Sequence, residues 1–429
     1  MRNRSYRGIY HGWFIVAAAM FIALVSMGPR VGFGVFVIPM SDDFGWSRSA
    51  ISLAGTVAAI VGGCTQPVLG RMFDIVGGRK LMLTGLAIFA FSTLLLAFTN
   101  HIIYLIIVFG VLMAVGSSAG TMNTAAALVS KWFHRRRATA IALIASGGSL
   151  GGLILVPFIA FIMPIVGWRN TWLVLGATVL FLALPKAFLI IKNDPSEVGK
   201  LPDGDGSTVS GLIGTKASRG PLEVDYWFHA LKSLPLWQIC GGYFICGATT
   251  TMISIHYVPY AIEEGFSAST AATAFGVLSA ATLIGALGAG FLGDRLGYKN
   301  LLAFAYGTRG IGYAVLVMLP GLWGLYGFAI IGGLSFNATV PLTTALTAEV
   351  YGLRNIGILT GIIFMAHQTG GAISVQFAGI MKDVTGEYTV PFVIGACLLA
   401  FASVVSFAIK EKEYSSRYQV SSNVASARP

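Results

Sequence analysis

The sequence predicts an all-α integral membrane protein, with twelve transmembrane helices arranged as two pseudo-symmetric six-helix bundles. Three observations carry the prediction. The first is charge: 55% of the 429 residues are apolar and only 10% are charged, with mean hydropathy +0.78. A soluble domain carries about 25% charged residues, so a packed core does not account for the difference, whereas a hydrocarbon solvent does. The second is run length. A spanning helix needs ~20 mostly apolar residues, and such runs follow one another here with short polar breaks. In lipid, backbone groups must pair within a helix or a closed barrel, and no run shows the ten-residue alternation of a barrel strand. The third is an internal repeat. In a shift of 220 residues Pro39 falls on Pro259, Asp43 on Glu263, Gly45 on Gly265, Ser47 on Ser267, Gly70 on Gly290, Asp74 on Asp294 and Gly77 on Gly297.

The first half supplies spans at 12–38, 49–70, 80–98, 102–130, 138–163 and 168–191. Span 1 follows Arg2, Arg4 and Arg7. It is too long for a signal-peptide core and has no A-x-A cleavage site at its end, so it reads as a retained helix. Spans 2 and 8 hold the repeat without a gap, from the preceding helix end into the following loop. The register slips to 218 after span 4, where Phe133 and Arg136 meet Tyr351 and Arg354. A stretch rich in Gly, Ser, Asp and Pro at 192–235 reads as a flexible cytoplasmic linker. Its end, Leu222 to Leu234, carries Tyr226, Trp227 and Phe228 beside charges and reads as a short interfacial helix. The second half supplies spans at 236–261, 269–293, 300–319, 322–348, 356–381 and 389–409. The expected units are therefore bundles at 1–191 and 236–410, the linker at 192–235 and a cytoplasmic tail at 411–429.

Charge placement sets the orientation. With alternate connections assigned to opposite sides, 23 of the 28 Lys and Arg residues lie on the side of the two termini. The positive-inside bias puts both termini in the cytoplasm. The net charge of +11 is thus a topology signal and not a nucleic-acid footprint. Cys64, Cys240, Cys246 and Cys397 all lie in apolar runs, without C-x-x-C spacing or a His partner at metal distance. No metal, cofactor or catalytic group is expected, and the lipid bilayer is the expected surrounding of a monomer.

A charge at a helix centre costs ~2.5–3.5 kcal/mol on insertion scales, so an ionisable residue inside a span is a functional candidate. All 17 acids fall in loops, tails or helix ends, whereas Arg30, Arg309, His256 and His367 lie within spans. An interior with fixed positive charge and no counter-charge suits an anion. Arg30 follows Gly28-Pro29, where proline frees a carbonyl and opens the helix, and an Arg fork matches a carboxylate bidentately. The competing reading has Arg30 snorkelling outward or pairing with Asp42 or Asp43. Arg309 serves equally as a solute ligand or as a bridge to carbonyls of a neighbouring helix, and each His as a ligand or a packing residue. Asn123, Tyr257, Asn337 and Gln368 are polar groups that either orient the solute or bridge helices.

The loop after span 2 reads Gly70-x-x-x-Asp74-x-x-Gly77-Gly78-Arg79-Lys80, and the loop after span 8 repeats it as Gly290-x-x-x-Asp294-x-x-Gly297-x-Lys299. Both resemble the signature loop of the major facilitator superfamily, which implies paired bundles rocking about a midplane solute. They give Gly70, Asp74, Gly77, Arg79, Gly290, Asp294 and Gly297 a gating role, with Asp74 and the basic residues forming ion pairs with neighbouring helix ends. Further pieces resemble the bacterial monocarboxylate and oxalate–formate branch. They include His11-Gly12-Trp13, Phe44-Gly45-Trp46-Ser47-Arg48 and Lys131-Trp132-Phe133, with Gly147, Gly148, Gly151 and Gly152 in span 5. His256-Tyr257-Val258-Pro259-Tyr260 and His367-Gln368-x-Gly370-Gly371 complete the set. In that branch a Pro-Lys step in helix 1 faces the solute, which implies the same role for Arg30.

The resemblance implies a secondary transporter in a bacterial inner membrane, working by alternating access on a small organic anion, a monocarboxylate. A same-fold exporter of amphipathic compounds and a non-transporting membrane sensor are the alternatives. One departure stands out. Where monocarboxylate transporters carry an Asp and an Arg one turn apart in helix 8, this chain has Thr282 and Ala286. Without that Asp, a coupling proton has only His256, His367 or the solute to ride on, and exchange with a counter-anion or uniport is favoured.

Overall fold

A computed structural model describes residues 10–204, 220–410 and Glu413. The basic N-terminus, linker residues 205–219 and most of the tail lie outside the described residues. Among the described residues helix is the only regular structure. The helices are α1 (His11–Phe44), α2 (Arg48–Val76), α3 (Gly78–Phe98) and α4 (Ile102–Trp132), followed by one 54-residue run, Arg137–Ile190. At ~1.5 Å per residue that run far exceeds the ~30 Å hydrocarbon core. It is broken at Gly167, whose φ of 82° and ψ of 158° suit a residue without Cβ. We therefore divide it into α5 (137–166) and α6 (168–190). The second half holds α7 (Leu234–Glu263), α8 (Ala268–Leu296), α9 (Tyr298–Met318), α10 (Gly321–Tyr351), α11 (Ile356–Thr385) and α12 (Thr389–Phe407).

The two halves repeat each other's packing. α1 packs on α5 as α7 packs on α11, and α3 packs on α4 and α6 as α9 packs on α10 and α12. Glycine sets the first of these crossings. Gly147 and Gly151 of α5 lie against the carbonyls of Met20 and Leu24, and Gly370 of α11 lies against that of Phe244. A Cβ at any of these positions would strike backbone, so the helices meet main chain to main chain. The repeat extends to the helix starts. Ser47 Oγ accepts from the Ala50 N–H at 3.2 Å, and Ser267 Oγ from the Thr270 N–H at 3.1 Å, each capping its helix. Between the halves, α2 packs on α11 and α5 on α8.

Several helices outrun the spans read from hydropathy. α2 continues to Val76, so Asp74 sits in its last turn and not in a loop. The linker is anchored at both described ends. Asp203 Oδ2 accepts from the N–H groups of His134 and Arg135 at 3.0 and 2.9 Å, and the Asn355 side chain donates to the Val224 carbonyl at 2.7 Å. Burial pushes the Asp203 carboxyl above its ordinary range. Within Leu222 to Leu234 the helix preceding α7 is a single turn, Trp227–Ala230.

Candidate functional site

A cavity of about 500 Å³ lies between the bundles, walled by α1, α2, α4, α5 and α11. Its α1 wall follows from Pro29, which has no N–H to close the helix, and from the turn at Gly32 just before the helix resumes at Phe33. Met27, Arg30 and Phe33 recur every third residue and so share one face; all three line the cavity. Arg30 is exposed to that space. Among the described residues no carboxylate or hydrogen-bond acceptor engages its guanidinium. One turn earlier, Ser26 also lines the cavity; its hydroxyl is buried, at 2% exposure, with no partner.

The remaining walls are mostly apolar. Phe33 stacks on Phe109 of α4, with centroids 3.9 Å apart and planes at 25°. Met113 and Met122 extend the α4 wall, and Phe364 faces it from α11. Two hydroxyls on α4 are already committed to their own helix: Ser117 donates to the Ala114 carbonyl at 3.0 Å and Thr121 to the Ser117 carbonyl at 2.6 Å. The α11 wall adds His367 and Gln368, whose Nδ1 and Oε1 lie 3.3 Å apart. Asn123 and Gln66 line the cavity and also border a smaller void of about 20 Å³ beside Gly70 and Gly357. Among the described lining residues, Arg30 is the one fixed charge.

Of the residues singled out from the sequence, Arg30, Asn123, His367 and Gln368 come together on this cavity. The other four sit elsewhere. Arg309 is fully buried and donates to the Ser335 and Phe336 carbonyls, the latter at 2.8 Å. α10 breaks immediately afterwards, at Asn337 and Ala338, which leaves those carbonyls without helical donors. His256 Nε2 lies 3.2 Å from the Val375 carbonyl, so that nitrogen carries a hydrogen, and Nδ1 lies 3.3 Å from the Tyr388 hydroxyl. Tyr257 donates to the Leu325 carbonyl at 2.7 Å. Thr282 is buried and bonded to the Leu278 carbonyl of its own helix. Ser26, Gln66, Phe33 and Phe109 escaped the sequence reading because nothing distinguishes them from other residues of apolar runs. Their only signal is helical spacing from Arg30, in the case of Ser26 and Phe33.

The repeated loop motif closes one end of the cavity. Asp74 accepts from the N–H groups of Gly357 and Ile358, both at 2.9 Å. Asp294 does the same to Ala138 and Thr139, at 2.9 and 2.8 Å. Each carboxylate thus caps the first turn of a helix in the opposite bundle, where N–H groups and the helix dipole favour negative charge. Gly70 and Gly290 allow this closeness: the first faces Gly357 backbone, the second Ala138 and Thr139 backbone. Gly77 and Gly297 both take φ of 93° to turn the chain into the next helix. Arg79 bonds within its own bundle, to Asn193 and to the Phe188 carbonyl. At the other end the ion pairs among the described residues stay within a bundle. Asp43 pairs with Arg169 at 2.7 Å, and Glu263 with Lys382. Among the described residues, carboxylate contacts fasten the halves to each other at the motif end and stay within each bundle at the other.

The model of a family described as the Major Facilitator Superfamily matches residues 19–375 and 239–424. An uncharacterized MFS-type transporter, YcxA of Bacillus subtilis (strain 168), is 28% identical over 421 residues, covering 95% of this chain and 98% of the relative. Monocarboxylate transporter 12 of Rattus norvegicus is 27% identical over 420 residues, covering 92% of this chain and 84% of the relative. Among solved structures, the proton:xylose symporter XylE, bound to 6-bromo-6-deoxy-D-glucose, aligns with a TM-score of 0.75 at 14% identity, covering 96% and 98% of the two chains. The E. coli fucose:proton symporter FucP aligns with a TM-score of 0.69 at 17% identity, covering 92% and 98%.

Proposed function

Because the chain belongs to the Major Facilitator Superfamily and has the fold of its multi-pass transporters, we propose that it carries a small organic anion, a monocarboxylate, by alternating access. The observation that carries this reading is Arg30, the one fixed cation on a cavity whose described lining holds no carboxylate. Its guanidinium offers a planar fork to a carboxylate, and the partnerless Ser26 hydroxyl one turn away offers a further donor. The names of the monocarboxylate-transporter relatives support the same class.

The cycle follows from the two ends of the cavity. With the motif end closed, solute enters from the end where the bundles are unfastened. Its carboxylate neutralises Arg30, so the loaded cavity occludes at lower electrostatic cost than an empty one. Rocking then breaks the Asp74 and Asp294 caps and opens the motif end. We assign that end to the cytoplasm from the basic loops, and place the chain in a bacterial inner membrane as a monomer with bundles at 1–191 and 236–410. Uptake of radiolabelled carboxylates into proteoliposomes tests the reading. Wild-type protein is expected to accumulate at least one acid, and Arg30→Ala none; equal uptake by both would remove Arg30 from the mechanism.

A further inference from the structure

We infer that the solute is a monocarboxylate with a flat apolar body, an aryl or arylalkyl acid, and neither a short hydroxy acid nor a dicarboxylate. The inference rests on the reading of Arg30 given above and adds the shape and polarity of the solute beyond its carboxylate.

Charge limits the solute to one carboxylate. Arg30 is the single fixed cation of the described lining, and a second carboxylate would enter low dielectric without a partner. On α1 the donors of the lining are Arg30 itself and, one turn earlier, the buried, unpartnered Ser26 hydroxyl. Both match one carboxylate group.

The cavity wall selects the body attached to that carboxylate. Met27 and Phe33 flank Arg30 on its own helix face, and Phe33 and Phe109, stacked on each other and largely buried, border the wall with what their packing leaves uncovered. Met113, Met122 and Phe364 continue the apolar lining. Ring faces and thioethers prefer a flat polarizable partner over an alkyl one of equal size. On the α4 wall the hydroxyls of Ser117 and Thr121 donate to their own helix, which leaves Ser118 and Asn123 as the polar side chains of that wall free to meet a solute. Asn123 and Gln66, which reach toward the void near Gly70, mark the opposite end and accommodate one polar substituent on the ring. A cavity of about 500 Å³ falls within the ~300–1,000 Å³ usual for small-molecule sites; a three-carbon acid would leave most of it to water.

Calorimetric titration of the full-length chain in detergent tests the inference, with phenylacetate, cyclohexylacetate, acetate, L-lactate, succinate and phenylacetamide as probes. Phenylacetate is expected to bind at least tenfold more tightly than acetate, lactate or succinate, and severalfold more tightly than cyclohexylacetate. Phenylacetamide, which lacks the charge, is expected not to bind. Phe109→Leu keeps bulk but removes a ring face, and should shrink the phenylacetate-to-cyclohexylacetate ratio toward one. If that variant does not fold, the wild-type ratios decide alone. Lactate, acetate or succinate binding as tightly as phenylacetate overturns this inference while sparing the anion reading. Binding of none of the acids overturns both.

Discussion

Arg30 and Arg309 are each a lone cation in an apolar run, and sequence alone gives them equal standing. Their surroundings separate them. Arg309 is enclosed and spends its donors on the Ser335 and Phe336 carbonyls, whereas Arg30 faces open cavity with its fork unspent. The two therefore fail differently on truncation. Arg309→Ala orphans carbonyls served by charged hydrogen bonds worth ~1.5–3 kcal/mol each and should lower the melting temperature by several degrees. Arg30→Ala should leave the melting temperature nearly unchanged and abolish anion binding. Arg30→Lys replaces a fork with a point charge and should weaken binding about tenfold. Thermal melts and titration on the same preparations read both effects; a stable Arg309→Ala protein would show that the carbonyl cage is dispensable. Ser26 was illegible for a related reason. Most helical hydroxyls here bond to a carbonyl one turn back, as Ser130 and Thr347 do, and no residue pattern reveals those that do not, Ser26 among them.

At the scale of the helix, the repeat made the contact between the halves at the motif end legible but not its chemistry. Matching Gly70 with Gly290 and Asp74 with Asp294 located both loops, and the sequence led us to expect ion pairs of Asp74 and the basic residues with neighbouring helix ends. The partners proved to be backbone: N–H groups at the first turns of α5 and α11. Hydropathy placed the end of α2 at residue 70, six residues early, because Arg71 and Asp74 lower the local average although the helix continues. Removing a capping side chain costs ~0.5–2 kcal/mol. The double variant Asp74→Ala, Asp294→Ala should therefore shift the population by roughly tenfold or more toward a parted motif end. Spin-label distances between the loop after α2 and the start of α11 would read this as growth of a longer-distance population. An unchanged distribution would show that packing, not capping, holds the gate. Gly70→Leu should part the same end by bulk alone, since its Cβ would meet Gly357 backbone.

For the molecule as a whole, composition and the repeat gave the twelve-helix plan, although by apolarity only ten helices stand out among the described residues. The shortfall has two physical sources: Gly167 folds one long run into two spans, and α7 dilutes its hydropathy with Thr249, Thr250, Thr251, Ser254 and His256. What the whole cycle couples to depends on how the cavity returns empty. Arg30 stays protonated at any physiological pH and so cannot carry a proton across. His256 has both ring nitrogens engaged away from the cavity, and Thr282, where the family resemblance leads one to expect an acid, is a hydroxyl bonded to its own helix. His367 is the one titratable group of the described lining besides Arg30. Moving an empty cavity through its closed state buries an uncompensated cation, which low dielectric penalises strongly. A second anion on the return stroke removes that penalty. Preloading proteoliposomes with the tightest-binding acid should therefore accelerate its uptake severalfold, whereas an imposed pH gradient should change the rate little. The comparison requires wild type and His367→Gln in parallel. Acceleration by the gradient in wild type, lost in His367→Gln, would overturn exchange and make the imidazole the proton carrier. Acceleration by preloading in both proteins would leave the guanidinium of Arg30 as the group that enforces exchange.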